Sequence, residues 1–254
     1  MLCKCNIVVP SSPATSEGFI KTQSTRGYQE LCSQIWSLAS LTTVDICHFL
    51  GEPFNRGEQQ HVAEFLTKLS EICPEVSCMA SVTISHGILC TTCNYCSSNR
   101  EVLHVYPLHV PAGTDSMCLE ELIYRNDKWA MIPGSKCRQC KISPIIKREL
   151  TQSAGRLIAV QLMLWETKPD GTVTKWHNAK FTAVQKSTIT VDNRNYQLAS
   201  IIIHQGQGVT SGHYVSVLAV GATGKWVHAN DALIEVKPWS RNANKMYMAF
   251  YEEI

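Results

Sequence analysis

Two parts of the sequence carry residues whose types and spacing could do chemistry. The first is a set of cysteines. Cys90-Thr-Thr-Cys93-Asn-Tyr-Cys96 is followed, forty-one residues after Cys96, by Cys137-Arg-Gln-Cys140. A Cys-x-x-Cys turn brings two sulfurs together, and two such turns can offer four thiolates to a tetrahedral zinc ion. Cys90/Cys93 and Cys93/Cys96 have the same step, so spacing alone leaves the first pair open. Such a closed site would be structural: it would staple two hairpins at their tips and perform no reaction. Buried free thiols and a redox dithiol are the competing readings.

The second part is a histidine side. Ser211-Gly212-His213-Tyr214 ends a Gly- and Gln-rich loop, 205–212, and runs into the apolar stretch 215–220. Glycines let a loop approach another backbone closely. An imidazole at a strand mouth suits a general base, because its ordinary pKa lies near neutrality. Asn230 and Asp231 follow seventeen and eighteen residues later, after Trp226-Val227-His228-Ala229. A hairpin of that length returns them beside His213, where an amide or carboxylate could hold the ring in one tautomer. A satisfied surface histidine is the plain alternative.

The elements that must position these residues read as helices first, then a cysteine-bearing middle, then strands. Apolar residues at three- and four-residue steps predict a helix over 28–50, with a second short helix over 44–50, and another helix over 58–70. That last one presents Val62, Phe65, Leu66 and Leu69 on one face. A short helix is expected over 118–124, capped by Asp115 or Ser116. Strands are expected at 157–165, 173–176, 187–191, 196–204, 214–220, 225–229 and 246–251, the second entered through Pro169-Asp170-Gly171. Residues 1–27, with Pro10, Pro13 and Gly18 and no period, read as a loose arm in which 7–9 could add an edge strand. This order is an α+β pattern.

Composition narrows the partners. The 254 residues are 44% hydrophobic and 17% charged, enough to bury a sizeable core. Twenty-three basic and 21 acidic residues give a net charge of +2 with no basic run, which supports neither nucleic-acid nor membrane-surface binding. The sequence shows no secretory signal and no apolar run long enough to span a bilayer. A reducing compartment, cytoplasmic or nuclear, is expected, where clustered cysteines signify metal or catalysis more often than disulfides.

Three blocks make the chain resemble the ubiquitin-specific protease family of deubiquitinases, from about Tyr28 to the C-terminus. Gln59-Gln60-His61-Val62-Ala63-Glu64-Phe65 looks like the family's Gln-Gln-Asp-Ala-His-Glu-Phe helix, departing from it at His61 and Ala63. The cysteine pairs stand where the family's zinc-stapled fingers lie, and the polar residues Ser98 and Glu101 favour Cys93 and Cys96 with Cys137 and Cys140 as ligands. Tyr196-Gln197-Leu198, His204-Gln205-Gly206, Gly212-His213-Tyr214, Trp226 and Asn230-Asp231 follow the family's histidine box in order and spacing. The resemblance implies a papain-like cysteine-protease hand, with a partial thumb at 28–79, fingers at about 80–156 and a palm at about 157–254. It implies thiol-dependent hydrolysis of the bond after the C-terminal glycine of ubiquitin or a ubiquitin-like modifier. His213 would be the base, Asn230 its orienting partner and Asp231 a supporting neighbour. Gln59, Gln60, Gly212 and Tyr214 would line the path of the ubiquitin tail.

One family feature is missing. The nucleophile's Gly-Asn-Thr-Cys-Tyr box, expected upstream of Gln59, does not occur. Cys3 and Cys5 have no room before them for the oxyanion Asn, and Cys32 falls inside a predicted helix. The thumb is therefore expected to be truncated and the chain incomplete. The alternative is a ubiquitin-binding pseudoenzyme or adaptor.

Overall fold

The computed structural model describes residues 43–56, 58, 60–111, 116–142, 144–168, 170–175, 180–182, 184–206, 208, 211–220, 223–239 and 245–254. The expected N-terminal arm, the start of the first helix, Cys3, Cys5, Cys32 and Gln59 lie outside these residues.

The chain enters through helix α1 (Thr43–Leu50) and a 3-10 turn at Phe54–Arg56. Helix α2 (Val62–Ile72) follows and buries Val62, Phe65, Leu66 and Leu69, the face that the periodicity marks. Phe54 meets Phe65 edge to face at 5.6 Å. Cys73 ends α2 and begins helix α3 (Pro74–Met79), whose Pro74 sits in the first turn, where a missing N–H costs nothing.

Among the described residues the strands form three sheets. The first has the order β2-β1-β5-β4, from β1 (Val82–Cys90), β2 (Cys96–Leu103), β4 (Ala130–Met131) and β5 (Ile145–Ala154). β2 is solvent-exposed along almost its whole length on both faces. That explains why 80–110 shows no clean alternation: a strand wet on both faces has no apolar side to repeat.

The second sheet takes the place expected of the palm, and it also draws in β3 from the span expected for the fingers. Its path is β13-β12-β11-β10-β14-β6-β3, with β9 also on β10. The strands are β3 (Tyr106–His109), β6 (Leu157–Met163), β9 (Thr188–Val191), β10 (Arg194–Gln205), β11 (His213–Ala219), β12 (Trp226–Asn230), β13 (Leu233–Lys237) and β14 (Met248–Glu253). All of its pairings are antiparallel except β3 with β6. Asp192 and Asn193, both at positive φ, make the two-residue turn between β9 and β10. A small hairpin, β7 (Trp165–Thr167) with β8 (Val173–Lys175), stands apart from both sheets and turns at Gly171, where φ is +82°.

One apolar core joins α2, α3, the base of the fingers and the palm. Helix α4 (Leu119–Asn126) docks on it through Leu119, Leu122 and Ile123. Cys118, rather than Asp115 or Ser116, occupies its N-cap. The buried Tyr251 hydroxyl bonds Ser187 Oγ at 2.7 Å, and Ser187 Oγ donates to Glu120 Oε1 at 2.6 Å, which ties α4 to the central strands. Among the described residues no helix is long and apolar enough to cross a membrane.

Candidate active site and metal centre

At the finger tips the sequence builds the same turn twice. The Cys90 N–H donates to Tyr95 O and the Asn94 N–H to Cys90 O, with Asn94 at φ +58°. The Cys137 N–H donates to Ile142 O and the Lys141 N–H to Cys137 O, with Lys141 at φ +63°. Each turn points both of its cysteines at the other turn. Cys90 Sγ lies 3.7 Å from Cys140 Sγ, Cys93 Sγ lies 3.7 Å from Cys137 Sγ, and all four sulfurs fall within 4.8 Å of one another. A tetrahedron with arms of about 2.3 Å, the zinc–thiolate distance, has edges of about 3.8 Å. The donor set and its size therefore fit a four-thiolate metal centre.

This corrects the expected ligand set at one position: Cys90 takes the place of Cys96. Cys96 opens β2 opposite Leu89 and is exposed. It stands outside the group of four converging sulfurs. The sequence carried a signal for the right choice. Asn follows Cys93, and Asn tolerates the left-handed conformation that such a turn needs after its second cysteine. The electrostatics agree. The Cys93 N–H, above all, draws the Cys90 thiol down to about 6, and the Cys140 N–H lowers Cys137. The Tyr95 N–H lowers Cys93, but burial and the neighbouring thiols outweigh it and raise that thiol to about 12. Four sulfurs this close cannot all ionise without a cation among them.

The histidine side lies at the far end of the palm. His213 begins β11 directly opposite Gln205, and Asn230 ends β12. The β11–β12 pairing sets Ser216 against Ala229, so that Asn230 follows at the level of Val215, a diagonal neighbour of His213. His213 Nε2–H donates to Asn230 Oδ1 at 2.5 Å, and Asp231 Oδ2 lies 4.0 Å from the same nitrogen. Asp231 occupies the β12–β13 turn at φ +51°, which Asp tolerates. A proton fixed on Nε2 leaves the lone pair of a neutral ring on Nδ1.

Behind His213 sits a buried aromatic cluster. His204 stacks on Tyr214 at 4.8 Å, and Tyr247 lies against His204, Tyr214, Trp165 and His61. His61 precedes α2 but caps nothing with its ring. Its Nε2 faces the Tyr247 hydroxyl and accepts from Gln161 Nε2 at 3.2 Å. Of the other expected tail-lining residues, Gln60 donates to Pro53 O at 3.3 Å, Gly212 packs against His204, and Tyr214 is buried. From sequence, His61 and His204 stood only as members of the family-like blocks with no role given, and Trp165 and Tyr247 were not singled out as site residues, because isolated aromatic positions carry no spacing signal.

Burial, then Lys175, then His61 lower the pKa of His204 to about 4. Burial also lowers His61 and His228. The unfolded chain therefore takes up protons first as pH drops below about 6.5. Stability is complete above that value and is lost as pH falls towards about 4. His204 alone accounts for roughly 3 kcal/mol of this loss. Urea midpoints at pH 7, 5 and 4 are expected to fall steadily; a midpoint independent of pH over that span would contradict the burial of neutral imidazoles.

Comparison with solved structures gives the same fold. The SAGA DUB module Ubp8/Sgf11/Sus1/Sgf73 bound to monoubiquitin contains a chain that matches with a TM-score of 0.66 at 17% identity, over 83% of this chain and 52% of that one. The module bound to ubiquitin aldehyde matches with a TM-score of 0.64 at 17% identity, over 83% and 53%. The fold is thus the papain-like cysteine-protease hand, with a sheet of fingers ending in four cysteines. The family model of ubiquitin carboxyl-terminal hydrolases matches residues 12–251, and the chain belongs to that family. Ubiquitin carboxyl-terminal hydrolase 3 of Mus musculus is 36% identical over 63 residues, 24% of this chain and 12% of the mouse protein. The chain spans about half the length of the Ubp8-module chains that it matches.

Proposed function

We propose that this chain carries the base side of a thiol-dependent deubiquitinase acting on the bond after the C-terminal glycine of ubiquitin. The observation that carries this reading is the His213–Asn230 hydrogen bond of 2.5 Å at the mouth of β11, in a chain of the ubiquitin carboxyl-terminal hydrolase family. His213 Nδ1 takes the proton of a cysteine thiol as the sulfur attacks the carbonyl, then returns it to the leaving amine. Asn230 holds the ring in the productive tautomer. Asp231, at 4.0 Å, favours the imidazolium that forms in between. The solved relatives hold monoubiquitin or ubiquitin aldehyde, which supports ubiquitin as the partner. The two Cys-x-x-Cys turns hold one structural zinc, through Cys90, Cys93, Cys137 and Cys140, and fix the fingers. The cysteines among the described residues are not joined in disulfides, in keeping with a cytoplasmic or nuclear protein.

A second reading is a ubiquitin-binding protein without catalysis. A ubiquitin derivative with a C-terminal electrophile separates the two. A covalent adduct on a cysteine of this chain, lost in His213→Ala, supports hydrolysis. Ubiquitin binding with no adduct supports the second reading, and neither adduct nor binding sinks both.

A further inference from the structure

Lys175, at the end of β8, is half-buried, and its ammonium makes three bonds. Nζ donates to His204 Nδ1 at 2.9 Å, to His204 O at 3.0 Å and to Gly206 O at 3.1 Å. An ammonium has three protons, so its donor capacity is used up. Burial lowers its pKa, and among the described residues no carboxylate pairs with it. A half-buried lysine held by neutral acceptors alone is costly to keep. It therefore calls for an account of what it holds in place.

What it holds is the entrance of the β10–β11 loop. His204 O and Gly206 O flank Gln205, the residue paired with His213 across the ladder. The His204 ring, clamped through Nδ1, lies hard against Gly212: a Cβ on Gly212 would fall 2.3 Å from His204 Nε2 and 2.8 Å from Gln205 O. Gly206 closes the same neck, since a Cβ there would fall 2.4 Å from Ser211 O and 2.9 Å from Gly212 Cα. One ammonium thus fixes both backbone sides of the neck and the ring wedged into it. The residue that leaves the neck is His213.

We infer that Lys175 is a positioning residue: a three-donor pin that sets the β10–β11 neck through His204 and Gly206 and thereby aims the His213 ring at Asn230. The inference rests on the proposed role of His213, but it concerns the geometry of the ring and can be tested without turnover. Histidine side-chain nitrogen NMR of the full chain reads the tautomer of each ring. In the wild type, His204 carries its proton on Nε2, because Nδ1 accepts from Lys175, and His213 carries its proton on Nε2, towards Asn230.

Lys175→Met keeps the length of the side chain and removes the donors. In that variant His213 is expected to lose its single tautomer and become a broadened mixture, as in Asn230→Ala, while far-ultraviolet dichroism stays at the wild-type level. Lys175→Arg, which keeps donors, is expected to restore most of the Nε2–H form. A folded Lys175→Met variant with an unchanged His213 tautomer overturns the inference. Should Lys175→Met fail to fold, the wild type still decides the matter: a proton on His204 Nδ1 overturns the pin, and a proton on Nε2 that Lys175→Arg preserves supports it. A Lys175-dependent His213 tautomer in a protein that forms no adduct with electrophilic ubiquitin keeps the pin and removes the catalytic reading.

Discussion

Replacing Cys90 with serine is expected to take bound zinc from about one ion per chain to nearly none, while Cys96→Ser keeps the full complement. The two cysteines are six residues apart and both fit a Cys-x-x-Cys step with Cys93. Only Cys90 is buried, 3.7 Å from Cys140 Sγ, inside a turn that duplicates the one at Cys137. Removing one of four thiolates sacrifices much of a binding free energy that, in small zinc-folded peptides, is on the order of 10 kcal/mol. The loss falls on the fingers because little else holds them: β2 is exposed on both faces, so it has no apolar side to bury against a core. Amide hydrogen exchange in 82–103 and 145–154 is expected to accelerate in Cys90→Ser, with the palm strands 194–205 and 248–253 still protected. Metal analysis of the two variants checks the assignment. Full zinc in Cys90→Ser, or its loss in Cys96→Ser, would contradict it.

That pair of cysteines also marks where sequence and structure part. The α2 face, the palm strands and the return of Asn230 to His213 were legible, because burial on one side writes a period into the chain. Val62, Phe65, Leu66 and Leu69 could be read as a face before any coordinates, and the hairpin arithmetic put Asn230 beside His213. The fingers were not legible. β2 meets solvent on both faces and β5 is half-buried along most of its length, while β1 sends only Val82 and Ile84, at its base, into the core, so hydropathy writes little period into this sheet. β13 was missed for the same reason: it edges the palm with Leu233, Ile234 and Val236 all exposed. Tertiary partners of single residues, such as His61 with Tyr247 or Lys175 with His204, leave no trace in spacing at all.

The larger kinetic effect belongs to His213. A positioned general base contributes about 10²–10⁴-fold to rate, and in the proposed reaction His213 is the group that takes the thiol proton and gives it to the leaving amine. His213→Ala is therefore expected to reduce hydrolysis of a ubiquitin C-terminal amide by about that factor, with KM little changed. Asn230→Ala falls between this variant and the wild type, because it frees the ring without removing it. Asp231→Asn has a smaller effect, since its carboxylate stands 4.0 Å away in a solvent-exposed turn. The measurement that bears most directly on the account is the steady-state release of a fluorophore from the ubiquitin C-terminus by the wild-type chain and by His213→Ala at equal concentration. Turnover that falls by at least about 100-fold in His213→Ala is the predicted result; equal turnover in the two would contradict it, and ubiquitin binding without turnover would select the non-catalytic reading.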